Sequence, residues 1–292
     1  MANSVRETLS SLIDSHGSGR ALRRLWDNLD RHNAVLAASA MAFDAFLSLV
    51  PLTAFAGWML YTFHQKSGSI SLLFGPILSA SPKAVSEVVS SEFLRLSDSG
   101  AAAVAPISLI VFLWVTSGGL ATAMGVFETM YARQARPWVR RRLLAIGFVL
   151  AGVVIVAAVG SVALMVVSEI TDLWGRWLAA LLAIAMVFLL VYAFYRFSVS
   201  TSERRRKTRY LVPGALLTVA LWALTSVLFS LYVTRLSRYA TLYGNLATVA
   251  ILLFWLWLLS LSLLVGAEVN SELEKAAMRR AGEPTTSRSS KW

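Results

Sequence analysis

The chain has 292 residues, of which 57% are hydrophobic and only 15% charged, where a soluble domain carries about a quarter charged. With a mean hydropathy of +0.64, most of its length has lipid for a solvent, which excludes a soluble globular enzyme and a single-anchor receptor with a large aqueous domain. There is no cysteine, so a disulfide framework, a zinc-thiolate site and a thiol nucleophile are excluded too. His16, His32 and His64 are scattered and show no metal-ligand spacing.

Residues 1–33 form an N-terminal segment. Within it Leu22, Leu25, Trp26 and Leu29 recur at helical spacing among Arg20, Arg23, Arg24, Asp27 and Asp30. This predicts an amphipathic helix lying on the cytoplasmic membrane face. The first apolar run, Ala34 to about Phe63, contains Pro51. At 1.5 Å per residue it reaches about 45 Å, against a hydrocarbon core of about 30 Å; it must tilt, kink at Pro51 or project. Residues 64–100 are the only sizeable loop, on the outer side. There Val85, Val88, Val89, Phe93 and Leu96 make an apolar stripe after Pro82, predicting an amphipathic helix that rests on the bilayer or closes over an outward opening.

The second run, about Ala101 to Tyr131, holds Pro106 and Gly118-Gly119. The third covers about Leu143 to Val167, the fourth Trp177 to Val199, the fifth Pro213 to Val233 and the sixth Leu246 to Ala267. Pro213 suits a first helical turn, where its missing N–H is no loss. Tyr243-Gly244-Asn245 predicts a turn with Asn245 as the next N-cap. The expectation is an all-α integral membrane protein with six transmembrane helices in residues 34–269. A cytoplasmic tail, 270–292, follows, its polar end from Gly282 disordered. No internal repeat emerges.

Lys and Arg are retained on the cytoplasmic side. The N-terminal segment, the 133–142 and 196–209 connections and the tail hold 21 of them, the alternate loops 6, so both termini are expected in the cytoplasm. The net charge of +11 then reads as topology first and as attraction for anionic lipid headgroups second. Arg204, Arg205, Arg206 and Lys207 could contact nucleic acid, but no aromatic platform or nucleic-acid-binding fold surrounds them, and no nucleic-acid partner is expected.

LSLVPL (47–52), RPWVRRRLLA (136–145), LVPGALL (211–217), LFSLYV (228–233), YGNLATVAILLFWLWL (243–258) and LLVGAEVN (263–270) together resemble the YihY/virulence factor BrkB family, once labelled "ribonuclease BN". The resemblance runs from about residue 25 to 275. It implies a six-helix protein of the bacterial inner membrane with cytoplasmic termini, and a part in envelope lipid handling. The chain departs from the family pattern at Asp44, where an aromatic is common, and at Glu128, where asparagine is common.

A carboxylate within the hydrocarbon costs about 2.5–3.5 kcal/mol on insertion scales and is a functional suspect by default. Asp44 stands about 15 Å into the first span, with no Lys or Arg at comparable depth in the sequence. It is protonated, hydrogen-bonded to Ser or Thr, or faces a wet cavity; a cavity opening toward the cytoplasm is the expectation. Glu128 and Glu268 fall at one level near the cytoplasmic ends of the second and sixth spans. Glu128 is expected to pair with Arg196, and Glu268 to snorkel or meet a loop arginine, unless they line the pathway. Gly118-Gly119, after Thr116-Ser117, marks a helix break or a close-packing point, and Pro51 frees backbone carbonyls beside Ser48. The candidate substrate or ion pathway is therefore Asp44, Ser48, Pro51, Thr116, Ser117, Gly118, Gly119, Glu128, Arg196 and Glu268.

A metal-dependent nuclease needs clustered carboxylates or histidines in a wet site, which this sequence lacks, and no GxSxG, HExxH or phosphate-loop motif implies a catalytic centre or cofactor. Two functions remain: transport or export of a lipid or amphiphile, coupled to protons through Asp44, or a non-catalytic scaffold in envelope assembly. A homo-oligomer is allowed by either.

Overall fold

A computed structural model describes residues 17–67, 105–131, 135–169, 173–198 and 211–280. The outer-loop stripe, residues 204–207 and the tail end lie outside them. Among the described residues the elements are helices: α1 (Gly17–Arg31), α2 (Ala34–Ser67), α3 (Ala105–Met130), α4 (Trp138–Glu169), α5 (Leu173–Ser198) and α6 (Val212–Arg280). Five stretches are long and apolar enough to cross a membrane: Ala34–Phe55, Ile107–Met130, Trp177–Ser198, Val212–Tyr232 and Val249–Ala277. The chain is an all-α membrane protein.

Helix α2 runs on through Pro51. The proline withholds one N–H from the ladder, and Ser48 and Thr53 hydroxyls bond back to the carbonyls of Ala45 (2.7 Å) and Val50 (2.8 Å) on either side of it. The helix ends at Ser67, inside the segment expected to be loop.

Helical backbone runs from Val212 to Arg280, including Tyr243–Asn245; the Asn245 side chain, the expected N-cap, lies outside those described. This element nonetheless doubles back. Gly214 N–H bonds Asn270 Oδ1 at 2.8 Å, Trp222 Nε1–H bonds the Leu259 carbonyl at 2.8 Å, and Phe229 lies 5.8 Å from Trp255. On a straight helix Gly214 and Asn270 would stand about 84 Å apart. The pairs centre near Leu242, so the reversal falls beside the expected turn, made in helical backbone. The last limb continues ten residues past Asn270, into what the sequence assigns to the tail.

Buried apolar side chains gather at one end: Ala34, Ala38 and Met41 of α2, Met124, Phe127 and Met130 of α3, Ala145 of α4, Phe194 and Tyr195 of α5, and Leu211, Ala215, Leu264 and Ala267 of α6. This is the end that carries the basic connections. Farther along, Val50, Ile110, Val154, Leu181, Val227 and Leu231 are exposed, as lipid-facing residues are. Leu29 of α1 is buried in the core and Leu25 packs on it, while Trp26 is 64% exposed. The α1 stripe is thus divided between the bundle and its surroundings. Asn33, at φ 52°, turns the chain from α1 into α2; asparagine tolerates that left-handed conformation better than most residues.

Candidate functional site

Helices α2 and α3 cross where Asp44 meets Gly118 and Gly119. A Cβ on Gly118 would stand 2.7 Å from Asp44 Oδ2 and 3.2 Å from Arg142 Nη1, so carboxylate and guanidinium lie no farther apart than the sum of those distances. The missing side chain of Gly118 makes the room that the carboxylate fills. Gly119 offers ordinary contact, 3.5 Å, to Asp44 Cβ and to the Met41 carbonyl. Helix α3 is unbroken here, and the glycine pair is a close-packing point rather than a break.

Arg142, on the second turn of α4, is held in place twice. Its Nη2 donates to the Trp114 carbonyl, and its Cζ lies 4.3 Å over the Trp114 ring, a cation–π contact. Ser117 Oγ donates to the same carbonyl at 2.9 Å. The guanidinium supplies the counter-charge that the sequence lacked at the depth of Asp44, because a long arginine reaches into the bundle from a helix start. Asp44 is half-buried, Ser48 and Ser117 are buried, and the buried Thr116 hydroxyl has no hydrogen-bond partner.

Glu128, 1% exposed, does not pair with Arg196. It accepts the Arg136 backbone N–H at 3.2 Å, and its oxygens lie 3.8 Å from Arg136 Nε and 3.7 Å from Arg141 Nη1. Arg136 also donates to the carbonyls of Phe197 (3.2 Å) and Ser198 (3.1 Å) at the C-terminus of α5, satisfying orphan carbonyls where a cation suits the helix dipole. Burial lowers the Arg136 pKa from its usual value; Glu128 opposes the shift and Arg140 adds to it. Arg196 instead lies 6.0 Å over the Phe197 ring.

Glu268 is fully buried and meets no arginine. Its Oε2 is 3.0 Å from His32 Nδ1, and its Oε1 has no hydrogen bond. The residues around it tie four helix ends together. Asn270 Oδ1 accepts the Gly214 N–H and its Nδ2 donates to the Leu211 carbonyl at 3.2 Å, capping the start of α6. Ser271 Oγ donates to the Met130 carbonyl at 2.8 Å, and Tyr131 OH to that of Ala267 at 3.2 Å. Glu128 and Glu268 do share a level. Tyr195 OH contacts Thr218 Oγ1 at 2.6 Å and donates to the Leu263 carbonyl at 2.7 Å. Sequence reading missed Asn270, Tyr195, Arg142 and His32 as members of these clusters. The one available signal was that LVPGALL and LLVGAEVN both carry Gly-Ala at a span end, the second beside Glu268 and Asn270; folded, they lie against each other.

The site therefore has two parts: a half-buried acid–guanidinium pair at the α2–α3 crossing, and below it a dense polar clamp on the basic side. Among the described residues the basic side is the densely packed end. A cavity of about 530 Å³ lies between α4 and α5, and Asp44 does not line it.

An all-helical membrane protein with basic, polar-clamped helix ends is the class that fold and site define. The virulence factor BrkB family model matches residues 25–290, and the chain belongs to that family. A Bacillus subtilis protein named as ribonuclease-like, YfkH, is 24% identical over 270 residues, covering 87% of this chain and 95% of the relative. A UPF0761 membrane protein of Xanthomonas campestris pv. campestris is 25% identical over 284 residues, 93% of this chain. This chain spans only 64% of that relative's length. A UPF0761 membrane protein of Idiomarina loihiensis is 33% identical over 104 residues, 36% of this chain and 34% of its own. No solved structure matches the chain.

Proposed function

We propose that this chain is a multi-pass protein of the bacterial inner membrane with six spans and both termini in the cytoplasm, α4 supplying the sixth span. In this reading it moves a lipid or amphiphile past the Asp44–Arg142 pair. The observation that carries the reading is that pair itself. A half-buried carboxylate beside a guanidinium is costly to keep in a span and is rarely kept without use, and it stands where dense packing on the basic side gives way to exposed apolar surface. The polar clamp then acts as the cytoplasmic closure, and access is from the opposite side. Proton uptake at Asp44 would uncouple it from Arg142 and free the crossing to move.

The ribonuclease-like name of the Bacillus relative is no guide to activity here. Glu128 faces Arg136 and Arg141 and Glu268 faces His32, and among the described residues no three His, Asp or Glu side chains gather as a catalytic metal would need. A second reading, a non-catalytic envelope scaffold, is favoured by the same clamp, since most of the buried polar groups join helices.

The test is flux of a fluorescent short-chain phospholipid in proteoliposomes with and without a pH gradient. Asp44→Asn is expected to abolish gradient-dependent flux while the protein stays folded, and Arg142→Gln to reduce it. Unchanged flux in Asp44→Asn, or no flux in wild type with any lipid tested, turns the assignment to the scaffold.

A further inference from the structure

Four arginines, at 136, 140, 141 and 142, stand in the connection that opens α4. Three are consumed by the fold: Arg136 and Arg141 by Glu128 and the end of α5, Arg142 by Trp114 and the Asp44 crossing. Arg140 is exposed, has no ion pair among the described residues, and lines the mouth of the 530 Å³ cavity between α4 and α5. The first ladder bond of α4 is from Arg141 N–H to the Pro137 carbonyl, at 3.1 Å. The N–H groups of Trp138, Val139 and Arg140 thus come before the ladder begins, where a helix favours an anion.

The cavity runs away from Arg140 as a groove. On α4 its floor is Leu144, Gly147, Ala151 and Ile155, one helical stripe, and its far wall is Leu190, Ala193 and Phe197 of α5. From Arg140 to Ile155 is about 22 Å along the helix, longer than one leaflet's half of a hydrocarbon core about 30 Å thick. Small residues in a membrane helix ordinarily admit a neighbouring backbone. Here a Cβ at Gly147 or at Gly152 would meet nothing within 4 Å, so these glycines hold open a channel that no part of the described chain fills.

We propose that this groove binds one anionic glycerophospholipid of the cytoplasmic leaflet, an acyl chain along Gly147 and Gly152 and the phosphate on Arg140 at the start of α4. The site is separate from the Asp44 crossing and does not rest on the transport reading. Charge commits the occupant: an exposed guanidinium at the positive end of a helix, with no ion pair among the described residues, selects a negative headgroup over a zwitterionic one.

The experiment is native mass spectrometry of the full-length protein released from nanodiscs holding equal amounts of phosphatidylglycerol and phosphatidylcholine with the same acyl chains. One lipid is expected to stay bound, with phosphatidylglycerol enriched about fivefold, the contribution of one basic residue near an anionic surface. Arg140→Gln should bring the ratio close to even with the lipid still retained. Gly147→Leu with Gly152→Leu fills open space and should expel the lipid, and Asp44→Asn should leave it in place. The proposal is overturned if wild type retains no lipid or shows no headgroup preference. It is equally overturned if Arg24→Gln, an exposed charge away from the groove, lowers the preference as much as Arg140→Gln. Should the double leucine variant fail to fold, the Arg140 comparison decides by itself.

Discussion

Replacing Gly266 with alanine probes the tightest crossing among the described residues. A Cβ there would collide with Thr218 Oγ1 and stand 2.6 Å from both the Gly214 carbonyl oxygen and the Tyr195 hydroxyl. Two of these are hydrogen-bonded to one another and the third is backbone, so none is the loose end of a flexible side chain. Overpacking of a well-packed site costs typically about 1–3 kcal/mol, and the upper part of that range applies where a backbone oxygen must move. Displacing the Tyr195–Thr218 bond adds about 1 kcal/mol. Alanine returns up to about 1 kcal/mol of helix propensity, leaving a net loss of about 2–3 kcal/mol. Gly147→Ala is the matched control: its Cβ meets open space, so only the propensity gain remains and the variant should be neutral or slightly more stable. The assay is thermal unfolding of both variants in one detergent, followed by tryptophan fluorescence and helical circular dichroism. Wild-type stability in Gly266→Ala, or equal damage in Gly147→Ala, would refute the assigned crossing of the two α6 limbs.

Other substitutions test the clamp. Asn270→Ala strips the Gly214 N–H of its acceptor, while the Leu211 carbonyl keeps the Ala215 N–H, and should cost about 1–2 kcal/mol, measured as an unfolding midpoint. His32→Ala leaves the Glu268 carboxylate buried without a partner and should lose about 3–5 kcal/mol, whereas Glu268→Gln removes the charge and should be far milder. Equal losses in those two variants would show that the pair is not what matters there. Glu128→Ala removes the carboxylate that faces Arg136, and protease susceptibility around residues 135–137 should rise; resistance equal to wild type would mean that the Phe197 and Ser198 carbonyls hold Arg136 by themselves.

The spans were legible in the sequence because each is a local matter. A helix in lipid satisfies its own backbone, so some twenty apolar residues in a row announce it. The intramembrane acids were legible for the same reason, since a carboxylate among apolar residues stands out wherever it packs. The basic connections also marked in advance the end where the core is densest. Partners were another matter. Glu268 finds His32, 236 positions away in sequence, and Asn270 finds Gly214 across a reversal in which helical backbone hides the turn. Arg196 matched Glu128 in depth along the chain, but depth does not say which helix face points inward. Arg136 and Arg141 took the acid because the short α3–α4 connection brings them back over the end of α3. The extent of α2 was not legible because hydropathy marks the lipid boundary, while the helix continues into a polar stretch as far as Ser67. Composition thus determined solvent and element type. Only tertiary structure decided which glycines pack against a neighbour, which hold open a groove, and which arginines face an acid, because each depends on contacts between residues far apart in sequence.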